Sequence, residues 1–189
     1  MDSKDGAGIN LIKIRDFRTG AVALYGEGRR QSRAARLQGM GDVSDAVEVG
    51  LFFDYEPGNW SIAARALRDF GEKRDGFLAD LTIGYSIQQN EWLEHDVECK
   101  CEFADRSRMG TFFGVTPKQA ADSGLRTYRA EPGIQALETS YSLNMYLSEY
   151  WIFLCEMDYR ELVGIAAKSP VPERNGQLSS LVELIYKFR

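Results

Sequence analysis

The sequence of 189 residues has no apolar run that approaches the roughly 20 residues needed for a membrane-spanning helix. Its first residues, Met-Asp-Ser-Lys-Asp-Gly, lack the apolar core of a signal peptide. A mature chain, a fragment and a cytosolic protein would each begin in this way. Only helices and closed barrels satisfy all backbone polar groups in lipid. If this protein crosses a membrane, it must therefore do so with β-strands.

Residues with redox, catalytic or basic chemistry are scarce. The three cysteines, Cys99, Cys101 and Cys155, do not form the even-numbered set of a disulfide framework. The single histidine and the lack of a nucleophile elbow or phosphate loop give no basis for Ser-His or Cys-His catalysis, so we predict no enzyme activity and no cofactor. The net charge of -5 argues against a nucleic-acid partner.

One group of residues could in principle bind a metal ion. His95, Cys99 and Cys101 lie on one face of a predicted strand and have the ligand types that zinc or copper prefers. Residues two apart on a strand are separated by about 6.6 Å, which is too far for adjacent positions to converge on one ion without a bulge. We therefore predict no metal site.

Alternation of apolar and polar residues is the dominant pattern. It is clearest in residues 134–161, where two strands flank a turn at Ser148 and Glu149 and the odd positions are apolar. Since successive side chains of a strand point to opposite faces, this pattern predicts a hairpin with one apolar and one polar face. Similar alternation predicts about nine strands, at residues 8–15, 20–27, 46–55, 60–69, 77–87, 93–103, 134–147, 150–161 and 177–188.

Proline and glycine support this interpretation. All five prolines fall outside the proposed strand interiors, as the loss of a ladder donor requires. Within the long connection 104–132, residues 116–124 predict a short helix with Thr116 as its cap, Pro117 at its first position and Gly124 after its end.

Alternation alone does not decide which face meets water. In a soluble barrel of the lipocalin type the apolar row points inward, whereas in a membrane barrel it faces lipid. The connections alternate strictly between short ones (16–19, 56–59, 88–91, 148–149) and longer ones (28–42, 70–76, 104–132, 162–175), as in membrane barrels. Aromatic residues also gather near the short turns, as in an interfacial girdle. We predict an all-β, antiparallel up-and-down transmembrane β-barrel.

The polar row of such a barrel faces its lumen. Our candidate binding residues are the lumen-facing charges Glu48, Asp80, Glu98, Lys100, Glu138, Glu156, Asp158, Arg160 and Glu183. An acidic lumen would favour cations by focusing the field. Alternatively, the charges pair with one another inside a plugged barrel.

Several segments are similar to one known family. The motifs LQGMGDV (37–43), GFLADL (76–81) and above all TFFGVTPKQAADSGL (111–125), with the aromatic ending LIYKF (184–188), resemble the MipA/OmpV family of Gram-negative outer-membrane proteins. The resemblance implies an outer-membrane β-barrel surrounded by lipid. It also implies a scaffolding role with a murein lytic transglycosylase and a bifunctional penicillin-binding protein as partners.

The strand count also bears on completeness. Bacterial single-chain barrels have an even number of strands, so we expect residues 1–189 to form one barrel domain from which at least one N-terminal strand is missing. The family resemblance implies that a signal peptide is missing as well. Two other functions remain open on the residues alone: a small pore for cations or small solutes, and a soluble ligand- or metal-binding barrel.

Overall fold

The computed structural model describes residues 6–70 and 76–188, which form one antiparallel sheet of nine strands in sequential order. The strands are β1 (Gly6–Ile14), β2 (Phe17–Gly26), β3 (Ala46–Tyr55), β4 (Trp60–Phe70), β5 (Phe77–Asn90), β6 (Leu93–Ala104), β7 (Gly133–Tyr146), β8 (Trp151–Leu162) and β9 (Gly176–Tyr186). This topology confirms the predicted all-β, up-and-down fold.

The connections differ at the two ends of the sheet. The turns 15–16, 56–59, 91–92 and 147–150 define the short-turn end, and the connections 27–45, 105–132 and 163–175 define the long-loop end. The connection predicted at residues 70–76 lies mostly outside the described residues. The long connections contain α1 (Arg106–Phe113), α2 (Pro117–Ser123), α3 (Gly164–Ala167) and two 3-10 turns. Among the described residues, no helix has the length and apolarity needed to cross a membrane.

The first hairpin differs from its prediction. The connection expected at residues 16–19 is a two-residue turn, because β2 already begins at Phe17. Arg15 adopts a positive φ of 48°, which is the backbone twist that a tight hairpin turn requires. Phe17 is thereby placed opposite Tyr55 of β3 and packs edge-on against Phe53 at 5.3 Å.

One face of the sheet is covered and the other is not. We call the covered face inner, because Met109 and Phe113 of α1 pack there in one buried cluster with sheet residues Phe52, Leu67 and Leu78. Directly opposite residues of neighbouring strands share a face. The strand register therefore extends the inner face around the sheet from Phe52 to Arg65, Asp80, Glu102, Ala136 and Leu162.

The outer face exposes large apolar side chains. Its middle is aliphatic, with exposed residues that include Val49, Leu51, Leu81, Ile83, Val97, Leu137, Met157 and Val182. Exposed aromatic residues flank this band: Tyr25, Phe70, Phe77, Phe103 and Tyr159 toward the long-loop end, and Tyr55, Trp60, Tyr85, Trp151 and Tyr186 toward the short-turn end. The apolar rows thus face away from α1, opposite to the lipocalin arrangement. The sequence analysis identified only the second of these two aromatic belts.

Candidate functional site on the inner face

A plug formed from the long connections covers the inner face at the long-loop end. Its main element is α1, which follows β6 directly and is capped by Asp105, whose side chain accepts a hydrogen bond from the Arg108 backbone nitrogen at 2.9 Å. Met109 is fully buried and Phe113 nearly so. Burial of these two side chains against the sheet fixes the helix in place, since apolar burial is the main favourable term in packing.

Two further connections bind to α1 through its carbonyl groups. An Nη1 hydrogen of Arg29 reaches the Phe112 oxygen at 2.8 Å, and the hydroxyl of Ser169 donates to the Phe113 oxygen at 2.6 Å. Burial lowers the pKa of the Arg29 guanidinium from its usual value. Tyr128 adds a bond from its hydroxyl to the Ile165 oxygen at 2.7 Å. Three long connections therefore form one structure with α1.

Arginines neutralise the buried carboxylates near the plug. The Arg108 Nη1 atom lies 3.0 Å from Glu48 and 3.1 Å from Asp69, whose side chains are almost inaccessible. Arg65 Nε lies 3.1 Å from each carboxylate oxygen of Asp80. An unpaired buried charge would cost several kcal/mol of folding free energy, so each arginine stabilises the fold by pairing with the buried carboxylates that it contacts.

A second group of charges continues around the sheet. Lys100 Nζ lies 3.2 Å from Glu102 and 3.5 Å from Glu138. Arg160 contacts the same two carboxylates, and Gln135 donates to Glu102 at 3.0 Å. Gln135 reaches inward because the register shifts between Glu102 and Phe103 where β6 meets β7. In this band, acids and bases are balanced.

Toward the short-turn end the inner face of β5 to β9 is acidic. The inward-facing carboxylates of this region are Glu94, Asp96, Glu98, Glu156, Asp158 and Glu183. In the described strands, the inward-facing positions that the register places beside these carboxylates hold no lysine or arginine. Neutral donors serve two of them: Asp96 accepts from Ser86 and, at 2.8 Å, from Asn144, and Glu94 accepts from the Tyr146 hydroxyl at 2.6 Å. We call this region the acidic rows.

The nine candidate residues from the sequence all lie on the inner face, in two environments. Glu48, Asp80, Lys100, Glu138 and Arg160 belong to the paired region near the plug. Glu98, Glu156, Asp158 and Glu183 belong to the acidic rows. Their role in binding stays a prediction.

Sequence reasoning missed four residues that organise this site. Arg65 and Asp69 lie in the inner row of β4, so the alternation contained a signal for both. Gln135 depends on the bulge between β6 and β7. Arg108 lies 60 residues from Glu48 in the chain, and no local pattern indicates that they meet.

The histidine and the cysteines lie apart from this site. His95 contacts the Tyr141 hydroxyl at 2.7 Å and Gln89 at 2.9 Å, at the outer-face register positions of β6. All three cysteines are free. Among residues 6–70 and 76–188, no group of three or more histidine, cysteine or acidic residues is arranged to hold a metal ion.

Nine sequential antiparallel strands with an apolar outer face and a polar, plugged inner face define an up-and-down β-protein of the barrel type. Comparison with known families gives a match over residues 1–188 to the family described as MltA-interacting protein MipA, and the chain belongs to that family. The resemblance seen in the sequence motifs is thus confirmed. No curated protein matches the chain at a significant level.

Proposed function

We propose that this chain is an outer-membrane β-barrel that acts as a non-enzymatic scaffold of the cell envelope. The observation that carries the membrane assignment is the outer face, where two aromatic belts flank an aliphatic band. On β5, Phe77 and Tyr85 are eight residues apart, which is about 27 Å along the strand. A strand tilt of about 35–45° reduces this to about 19–22 Å, close to the apolar band of outer-membrane barrels, about 25 Å.

Fluorescence quenching tests the membrane assignment. In vesicles that contain lipids brominated near the headgroup, Trp60 and Trp151 should be quenched, because both are exposed in the belt at the short-turn end. Replacing both with phenylalanine should remove most of this quenching. A protein that stays monomeric in buffer without detergent, with an unquenched Trp151, would overturn the assignment and favour a soluble barrel.

The proposed partners are a murein lytic transglycosylase and a penicillin-binding protein. The family is named for interaction with MltA, and the plug favours a scaffold over an open channel because it covers the inner face with buried, charge-paired residues. In an outer-membrane barrel the short turns face the periplasm, where murein enzymes act. We therefore assign docking to the short-turn end.

Two matched charge reversals test the docking side. Glu91 lies in a short turn and Glu173 in the long connection before β9, and both are exposed. Glu91→Lys should weaken binding of a purified MltA-type transglycosylase in titration calorimetry, whereas Glu173→Lys should not. Equal binding by both variants and the unchanged chain would argue against docking at the short-turn end.

The acidic rows favour a second candidate function, a pore selective for cations. Planar bilayers separate the two functions, since a scaffold with an intact plug should insert silently and a pore should conduct. A membrane-inserted chain without conductance excludes the open pore. Cation-selective conductance from the unchanged chain would favour the pore.

A further inference from the structure

We propose that Arg36, Arg126 and Lys168 form a binding site for phosphate groups at the long-loop end. The three residues come from three different long connections and are all exposed. Their positions are linked by hydrogen bonds to a single short segment, residues 168–170. The proposal concerns a surface outside the inner face. Its phosphate chemistry does not depend on the scaffold or membrane assignment, whereas a lipid as the source of the phosphate does.

Hydrogen bonds attach both guanidinium groups to the same short segment. Arg36 donates from Nε and Nη2 to the Pro170 oxygen at 3.0 and 2.6 Å, and Arg126 donates from Nη2 to the Lys168 oxygen at 2.9 Å. The two accepting residues are two positions apart, which limits their separation to about 7 Å. Lys168 carries one of the two accepting oxygens, so the segment 168–170 holds two arginines through its backbone and adds a lysine side chain of its own.

These cations are not neutralised by the protein. Most exposed bases of the long connections pair with an acid: Arg30 with Asp45, Arg33 with Glu27, Arg106 and Arg129 with Glu131, and Lys118 with Asp122. Arg36 and Arg126 instead bond to carbonyl oxygens, which leaves their full charge. Within the described residues none of the three proposed ligands forms an ion pair, and Glu173 of the same connection pairs with none of them.

The platform that carries the site is rigid. Ser169 is buried and its hydroxyl donates to Phe113 of α1, while the Val171 nitrogen donates to Ser169 Oγ at 3.1 Å. Val171 is also buried, in a cluster with Met40 and Val115. Arg126 lies over the Tyr128 ring, 5.6 Å from its centroid. Because these contacts order the two arginines and the backbone of Lys168, a ligand would lose little entropy in organising them.

The chemistry of the site favours phosphate. Arginine presents a planar fork of N–H groups that matches phosphate oxygens, and the carbonyl contacts leave most of these groups available. Lysine adds a compact charge of the same sign. Phosphate monoesters of a lipid headgroup and free phosphate anions share this chemistry. In an outer membrane the long loops lie on the outer side, where phosphorylated glycolipids are available.

Calorimetric titration of the full chain in non-ionic detergent tests the site. The two probes are inorganic pyrophosphate and micelles that carry a glycolipid with phosphate monoesters. The variant Arg36→Gln/Arg126→Gln/Lys168→Gln should bind the preferred probe at least about tenfold more weakly, since each 1.4 kcal/mol lost is a factor of ten. The matched control Arg106→Gln/Lys118→Gln/Arg129→Gln removes the same charge from the same end and should change affinity less than about threefold.

A single substitution provides a test that does not depend on correct folding of the triple variants. The Lys168 side chain is exposed and forms no ion pair or hydrogen bond within the described residues, so Lys168→Gln leaves the hydrogen bonds of the loop intact and should still weaken binding at least about threefold. Binding of the glycolipid alone identifies a lipid headgroup, and equal binding of pyrophosphate identifies a soluble anion. The proposal would be overturned if the two triple variants lost equal affinity or if neither probe bound the unchanged chain. It would also be overturned if Lys168→Gln bound the preferred probe with unchanged affinity.

Discussion

At the scale of the residue, Arg108 has the largest predicted effect. Arg108→Met removes the guanidinium that contacts the buried carboxylates of Glu48 and Asp69. Breaking one side of a buried ion pair costs about 3–5 kcal/mol, so the urea midpoint of unfolding should fall markedly. Fluorescence-detected urea unfolding in detergent measures this.

Two variants control for loss of charge. Arg106→Met removes an exposed arginine paired with Glu131 and should cost less than about 1 kcal/mol. Combining Arg108→Met with Glu48→Gln and Asp69→Asn should recover part of the lost stability, because the two carboxylates that Arg108 contacted are then neutral. If Arg108→Met and Arg106→Met unfold at the same urea concentration, the buried pairing does not stabilise the plug.

Asp45 provides a pH-dependent prediction at the same scale. Its carboxylate accepts a hydrogen bond from the Gly28 backbone nitrogen at 2.7 Å, which lowers the pKa of Asp45 from its usual 3.8. A lowered folded-state pKa means that the contribution to stability is present above the unfolded pKa and is lost as the pH falls through the folded one. The carboxyl carbon signal of Asp45 should titrate below pH 3.8 in NMR spectra. A midpoint at or above that value would contradict the observed hydrogen bond.

At the scale of the element, α1 is held by its packing on the sheet. Met109→Ala should destabilise the protein by about 2–5 kcal/mol, because Met109 is fully buried and the substitution leaves a cavity. Met157→Ala on the outer face is the matched control, since Met157 is 48% exposed and its truncation leaves no buried cavity. Urea unfolding of both variants measures the difference. Similar losses would show that α1 does not pack as described.

The two helices of the connection between β6 and β7 show what sequence could predict. For α2 all signals are local: Thr116 and Gln119 form a capping box, Pro117 begins the helix, and Gly124 follows it with a φ of 77°. Sequence therefore predicted this helix correctly. The α1 segment has only three large apolar residues and no strong helical period, and it is stabilised by contacts with strands distant in sequence. Its cap, Asp105, was the one local signal available.

The same distinction applies to the candidate site. Alternation with a period of two is a local property, so it placed charges such as Glu48 and Glu183 on one row of each strand. It could not show which rows meet, because that depends on register and on loops that fold back onto the sheet. The division into a paired region and acidic rows follows from the register of β5 to β9 and from Arg108, and neither is visible in any single segment.

At the scale of the whole molecule, the directions of the edge strands restrict how the sheet can close. Each of β1 and β9 ends at the short-turn end, so both run in the same direction. Direct pairing of β1 with β9 would be parallel, whereas bacterial outer-membrane barrels are antiparallel and even-stranded. Antiparallel closure between β1 and β9 would need an odd number of strands between them, and the expectation of a missing N-terminal strand stays a prediction.

Hydrogen exchange tests whether these edges are open in the chain as it stands. Within the described residues β1 and β9 each pair with one neighbour only, so the amides on their free sides should exchange with water or detergent headgroups unprotected. In detergent-solubilised protein we expect these amides to exchange at least about tenfold faster than those of β4 to β7. Protection equal to that of the central strands would show that the edges are already paired. If that protection disappears on dilution, a second copy of the chain supplies the pairing; if it persists, β1 and β9 pair within one chain and the expected further strands are not needed.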